Sequence, residues 1–165
     1  MEEFIELYGK DKKPTGTVIA RGDACPPGNL FPVVCVWVID EAHNFLVTER
    51  SAAKKASPGK WENPGGACRS GETLAEGAAR ELAEETGISV APEELREVAC
   101  EVQYGCLVVT FAVHMNRPRV TLQEGETSDY RWVTERELVR MCTRKRFAEP
   151  IEKQIWHYRS KLKTM

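Results

Sequence analysis

Apolar residues alternate along "FIELY" (Phe4–Tyr8), and the polar stretch "GKDKKPTG" after it has the composition of a turn, so the chain opens on a short strand. In "PVVCVWVID" (residues 32–40) the apolar run is continuous and β-branched, which predicts a central buried strand. It turns through "DEAHN" into "FLVTE", a hairpin pattern. Residues 50–72 lose this order and are punctuated by Pro and Gly. A loop of that length in a compact domain is functional or disordered. The spacing then predicts a helix over about residues 73–86, with Gly87 at the left-handed C-terminal position. Residues 95–115 read as two strands broken near Tyr104–Gly105, and "SDYRWV" as a further strand. "TEREL" opens a helix in which Thr134 caps and Glu137 answers it. "FAEPIEKQIWHYRSKLK" predicts a C-terminal helix over about residues 148–163, started by Pro150 and basic towards its end. Strands and helices in this order predict an α/β sandwich around a mixed sheet.

Length and composition narrow the class. The chain of 165 residues suits one domain, residues 1–165, and a formal net charge of -2 argues against a nucleic-acid partner held by bulk electrostatics. No run approaches the length of a membrane span, and the acidic opening "MEEFIELYGK" lacks a secretory apolar region. The cysteines (Cys25, Cys35, Cys68, Cys100, Cys106, Cys142) are scattered without a CxxC pair and read as reduced thiols. Cytoplasmic placement is the expectation, with no membrane partner.

The helix over residues 73–86 carries the first chemical signal. Its apolar arc is Ala75, Ala78, Ala79, Leu82 and Ala83, mostly small residues that let the helix lie close against a sheet. Glu81, Glu84 and Glu85 fall together on another arc. Like charges at this spacing repel, and Glu84 and Glu85 stand beside the negative end of the helix dipole. A cation joining them resolves the conflict, and hard divalent cations such as Mg²⁺ favour clustered oxygen ligands. Gly65–Gly66, upstream, permits close backbone approach and offers a carbonyl as a further oxygen ligand. Glu72 suits the start of the helix, and Arg80, lying among the acids, is expected to tie the loop to the helix through Glu72.

The stretch Gly66 to Ile88 resembles the Nudix box, G-x5-E-x7-R-E-U-x-E-E-x-G-U with U aliphatic. Gly66, Glu72, Arg80, Glu81, Leu82, Glu84, Glu85, Gly87 and Ile88 meet it with no departure. The resemblance implies a Nudix α/β/α sandwich and divalent-metal-dependent hydrolysis of a diphosphate bond in a nucleoside diphosphate linked to X, or in a similar small organic diphosphate. It implies metal ligands at Gly66, Glu81, Glu84 and Glu85, with Mg²⁺ as the cofactor and Mn²⁺ as its alternative. Catalytic candidates are Glu81, Glu126 and Arg80. Glu126 enters because family members often carry an acid a few positions before a strand ending in "RWV". A polyanionic substrate needs cations as a P–O bond breaks, and a carboxylate not fully engaged with metal takes the proton of the attacking water. That base is expected to be Glu81 or Glu126.

"LVTERSAAKKASPGKWENPGGA" (residues 46–67) resembles the isopentenyl-diphosphate isomerases and the hydrolases most similar to them. "RG" at Arg21–Gly22 and the acids Glu124 and Glu126 add to this likeness. It suggests that Arg50 and Lys54 meet the substrate's diphosphate, a fork donor and a point charge. Trp61 either stacks on the leaving group or packs the loop. Tyr104 falls where some dinucleoside-polyphosphate hydrolases of the family carry a tyrosine. The isomerase reaction itself is disfavoured: it needs a cysteine where this chain has Gly66, and histidines that His43, His114 and His157 do not match. A non-catalytic Nudix-fold sensor of nucleotide ligands is the alternative, and the intact box argues against it. A homodimer through the N-terminal strand or the C-terminal helix stays open.

Overall fold

A computed structural model describes residues 2–148 and 151–157. At its centre lies β3 (Phe31–Ile39), paired in parallel along its length with β8 (Cys106–His114), from Phe31 opposite Cys106 to Ile39 opposite His114. Both faces of β3 are covered, which is why its apolar run is continuous. Val34, Val36 and Val38 point to one face and meet Ala78, Ala79 and Leu82 of α1 (Leu74–Thr86). Trp37 and Ile39 point to the other and pack with Leu138 and Cys142 of α2 (Glu135–Thr143) and with Ile151 and Ile155. Residues 151–157 are helical. The rest of the expected C-terminal helix, Pro150 included, lies outside the described residues. The result is a three-layer arrangement of helix, mixed sheet and helix, as expected.

Around this centre, β4 (Phe45–Arg50) follows β3 through a tight hairpin, Ile39 opposite Phe45, and pairs antiparallel with β9 (Thr127–Val133). On the far side β7 (Arg96–Gln103) pairs antiparallel with β8. Tyr104 and Gly105 join them with φ of 51° and 78°, the two consecutive left-handed residues of a two-residue hairpin turn. The anticipated caps are in place: Thr134 accepts from the Glu137 N–H, the acid answering its cap, and Gly87 closes α1 at φ 71°. Thr73 caps α1 in the same way, accepting from the Glu76 N–H, a box the sequence reading did not mark.

Three short strands depart from the sequence reading. β1 (Phe4–Tyr8) is paired by β2 (Pro14–Ala20), which begins inside the expected turn and is largely exposed, so no apolar pattern marks it. Within the expected loop lie β5 (Trp61–Glu62), paired with β4, and β6 (Gly65–Ala67), paired antiparallel with β3. β6 has no β-forming residue type. Instead Gly65 makes it possible, because a Cβ there would overlap the carbonyl oxygen of Val34. All the cysteines are free thiols. Among the described residues no helix is long and apolar enough to cross a membrane.

Candidate active site

The C-terminal half of α1, the β6 strand and the loops before β5 and β9 enclose a polar pocket of about 330 Å³. Glu81, Glu84 and Glu85 enter it from the helix, Gly65 and Gly66 from β6, Arg50 and Lys54 from the end of β4 and its loop, and Glu126 from the loop before β9. Docking of that last loop is set by the backbone. A helix leaves its last carbonyls unpaired, and here the N–H groups of Thr121 and Gln123 donate to the Thr86 and Glu85 carbonyls (2.8 and 3.3 Å). The Ser51 N–H donates to the Glu126 carbonyl (2.9 Å), so the two cation- and acid-bearing loops are held to each other.

Each carboxylate has a different environment. Arg80 lies flat across the box: Nε and Nη2 donate to the two oxygens of Glu72 (2.7 and 3.0 Å), and Nη2 also donates to the Ala67 carbonyl (2.9 Å). Its Nη1 donates to Glu81 (2.7 Å) and Glu84 (3.2 Å). The loop is thus tied to the helix as expected, and Arg80 supplies part of the positive charge that the acidic arc demands. Glu84 also pairs with Arg69 at 3.2 Å and keeps solvent contact. Glu81 is 8% exposed, and burial raises its proton affinity against the pull of Arg80. Gly66 carries no side chain for a steric reason: a Cβ there would stand 2.5 Å from the Glu81 carboxylate.

Glu85 stands apart. It is also 8% exposed, accepts one hydrogen bond from the Gly65 N–H (3.1 Å), and among the described residues forms no ion pair. Burial, reinforced by the charges of Glu62, Glu81 and Glu126, pushes its carboxyl up to about 8. A buried carboxylate without a cation is expensive. The donor set around it is all oxygen, with Glu81, Glu84 and Glu126 in the same pocket. Such a set fits a hard divalent cation. Among the described residues no three acid, histidine or cysteine side chains converge as they stand on one ion position, and Arg80 occupies Glu81 and Glu84.

Of the expected substrate residues, Arg50 and Lys54 reach the pocket, each already paired. Arg50 Nη1 bridges both oxygens of Glu62 (2.7 and 2.9 Å), and Lys54 pairs with Glu126. Trp61 does not reach it. The ring is 1% exposed, packed in the core on the α2 side of the sheet, with the Arg131 guanidinium 4.7 Å from its centroid. It packs the fold, the second of the two roles its sequence context allowed. Tyr104 does not reach the pocket either; its turn borders a separate apolar cavity that shares only Gly65 with the carboxylates. The pocket also contains residues the sequence reading did not assign to it. Glu3 holds Arg69 (2.5 Å) and also pairs with Arg21, and both guanidiniums border the pocket, as does Gln123. Only the "RG" likeness pointed towards Arg21; no local pattern marks Glu3 or Arg69.

A model described as the NUDIX domain matches residues 29–155. An uncharacterized Nudix hydrolase of Listeria monocytogenes is 30% identical over 146 residues, 84% of this chain and 83% of that protein. An isopentenyl-diphosphate Delta-isomerase of Salmonella heidelberg is 33% identical over 90 residues, which is 54% of this chain and 50% of the isomerase. A solved structure of a Deinococcus radiodurans protein superposes with a TM-score of 0.76 at 20% identity, covering 93% of this chain and 97% of that one.

Proposed function

We propose a reaction from one premise: the chain belongs to the Nudix hydrolase family. It is a Nudix-type diphosphohydrolase, and nucleoside diphosphate derivatives are the general substrates of that class. In our reading it cleaves the diphosphate bond of a nucleoside diphosphate linked to X, with Mg²⁺ as the working ion. The observation that carries this is Glu85, a buried carboxylate that forms no ion pair among the described residues, set among Glu81, Glu84 and Glu126 in one pocket. A divalent cation held by these carboxylates would supply neutralising charge to the diphosphate and polarisation at phosphorus.

The chain's own residues do the rest. Glu81, Glu84 and Glu85 would hold the ion from one rigid helix; the expected Gly66 carbonyl is turned into the β3 ladder opposite Val34, and Gly65, whose N–H faces Glu85, is the candidate for the fourth oxygen instead. Lys54, Arg21 and Arg69 border the pocket on its cationic side and receive the diphosphate oxygens. Arg50 supports them through Glu62. Water attacks one phosphorus, the bond from that phosphorus to the bridging oxygen breaks, and two monophosphates leave. The water's proton passes to Glu81 or Glu126, and the rates of Glu81→Gln and Glu126→Gln separate these two. Arg80 positions Glu72, Glu81 and Glu84 and makes no contact with substrate in this scheme.

Isomerisation has less support. The cysteine it requires is replaced by Gly66, and the nearby Cys68 is 2% exposed, its thiol pushed up to about 11 by burial and turned onto the Glu72 and Thr73 carbonyls. The test is a panel of nucleotide and non-nucleotide diphosphates with Mg²⁺ or with EDTA, phosphate-containing products being quantified. Mg²⁺-dependent cleavage of one compound far above the rest is the expected result. Absence of cleavage across the panel, with one compound still raising thermal stability, overturns it in favour of a sensor.

A further inference from the structure

Residues 2–28 precede the stretch that the family match covers, and they hold the β1–β2 hairpin and the loop after it. This hairpin is built against the carboxylate pocket. Ile5 and Leu7 are fully buried and cluster with Ala67 of β6. Main-chain bonds fix the start of β1: the Phe4 carbonyl accepts from the Ser70 N–H (2.8 Å), and the Glu3 carbonyl from the Arg21 N–H (2.8 Å). The Glu3 side chain is thereby set between Arg21 and Arg69, and all three border the pocket.

Both carboxylate oxygens of Glu3 are in use. Oε1 accepts from Arg69 Nε and Nη2 (2.9 and 2.5 Å), and Oε2 accepts from Arg21 Nη1. Two guanidiniums at one rim repel, and the shared carboxylate offsets that repulsion. The Arg21 side chain is 51% exposed, and ion pairs so open to solvent add little to fold stability. Orientation accounts for the cluster better. An arginine side chain loses much rotamer freedom when a ligand fixes it, and fixing it beforehand spares the ligand that cost. Arg21 spends only Nη1 on Glu3, which leaves Nε and Nη2, among the described residues, as donors for another acceptor. Its guanidinium also lies within the electrostatic reach of Glu81 and Glu126.

We infer that Glu3 is a positioning residue for the reaction: it holds Arg21 and Arg69 as a preset clamp on the substrate's diphosphate. Its link to turnover rests on the diphosphohydrolase reading, while the clamp needs no chemistry in order to bind. Glu3 acts through the two guanidiniums and makes no contact with the substrate. Positioning and simple charge then differ in sign. Removing an acid beside a polyanion site tightens binding by charge alone, whereas removing the group that orients the clamp weakens it.

Glu3→Gln keeps the size of the side chain and removes the charge that fixes both arginines. With the compound cleaved best, in Mg²⁺, KM should rise at least fivefold while kcat changes less than threefold. A bracing role alone would lower Tm and the active fraction, and so the apparent kcat, and would leave KM unmoved. Added to Arg21→Met and Arg69→Met together, Glu3→Gln should move KM less than twofold further, because its effect passes through both. A second measurement is calorimetric titration of methylenediphosphonate, a diphosphate analogue with an uncleavable P–C–P bridge, into the intact protein in Mg²⁺. Here Glu3→Gln should weaken binding at least fivefold. If Glu3→Gln does not fold, Glu3→Asp, which keeps the charge and draws the contact back by one methylene, must give the same two losses. An unchanged or lower KM in the folded variant, or methylenediphosphonate binding that is unchanged or tighter, overturns the inference and leaves the hydrolase reading standing in an active enzyme. Absence of methylenediphosphonate binding by the wild type at millimolar concentration also overturns it. Binding that weakens with Glu3→Gln in a protein that hydrolyses nothing sustains the inference and removes the hydrolase reading instead.

Discussion

Replacing Glu85 with glutamine keeps the acceptor for the Gly65 N–H, 3.1 Å away, and removes the charge. The size of the effect follows from proton linkage. In the unfolded chain the carboxyl has its ordinary value of 4.5, and in the fold it stands at about 8. Folding therefore favours the protonated form: the metal-free protein is most stable below the unfolded value, loses stability as pH rises towards 8, and levels off beyond it. Each tenfold change in proton affinity is worth about 1.4 kcal/mol, so the full cost is about 5 kcal/mol above pH 8 and about 3 kcal/mol at pH 7. The new carboxamide brings an N–H pair that needs partners, which returns about 1 kcal/mol. In EDTA at pH 7, Glu85→Gln should thus be more stable than wild type by about 2 kcal/mol, which is about 4–8 °C in Tm for a domain of this size. The gap should close at pH 5. Saturating Mg²⁺ should narrow or reverse it, because the ion stabilises the protein that binds it. Denaturant or thermal melts of both proteins at pH 5, 7 and 9, with EDTA and with Mg²⁺, make the measurement. A variant no more stable than wild type between pH 7 and 9 in EDTA would refute the description of Glu85 as an uncompensated buried anion.

Other substitutions separate structure from chemistry. Gly66→Ala places a methyl group 2.5 Å from the Glu81 carboxylate; kcat should fall about 10–100-fold if that displacement costs about 1.4–2.8 kcal/mol of transition-state stabilisation, with a smaller change in Tm. Gly65→Ala instead meets the Val34 carbonyl and Cys35 backbone, so melting curves should show a larger loss than for Gly66→Ala. Arg80→Lys loses the paired contacts to Glu72 and the Ala67 carbonyl and should destabilise by about 1–3 kcal/mol, read by denaturant titration. Lys54→Met frees Glu126 from its ion pair and removes a charge that meets the substrate in the proposed scheme; KM should rise several-fold, more steeply at low salt, in initial-rate assays.

The long elements were legible because each carried its own signal. β3 showed an apolar run too continuous for a one-sided strand, and α1 showed a small-residue arc and a terminal glycine. The acidic arc pointed to a cation, and the structure supplies part of it from Arg80 and Arg69 while, among the described residues, Glu85 forms no ion pair. What stayed hidden depends on distant partners. β6 exists because β3 offers an edge and Gly65 allows contact with it, neither of which is written in "GGA". Trp61 had two compatible fates, and the packing of the α2 side chose between them. Glu3 and Arg69 meet across 66 residues of sequence, so no local window contains both.

The loop bearing Glu126 is fastened to the end of α1 by main-chain N–H groups at positions 121 and 123, and to the β4 loop by another at Ser51. Any residue other than proline supplies the same donor. The fastening is therefore insulated from mutational drift: side chains along that loop can diverge through many generations while the carboxylate keeps its place over the helix. Descendants of such a scaffold can explore new substrates at the loop surface without first rebuilding the carboxylate-bearing end. Sequence likeness in this segment should fade sooner than likeness of shape.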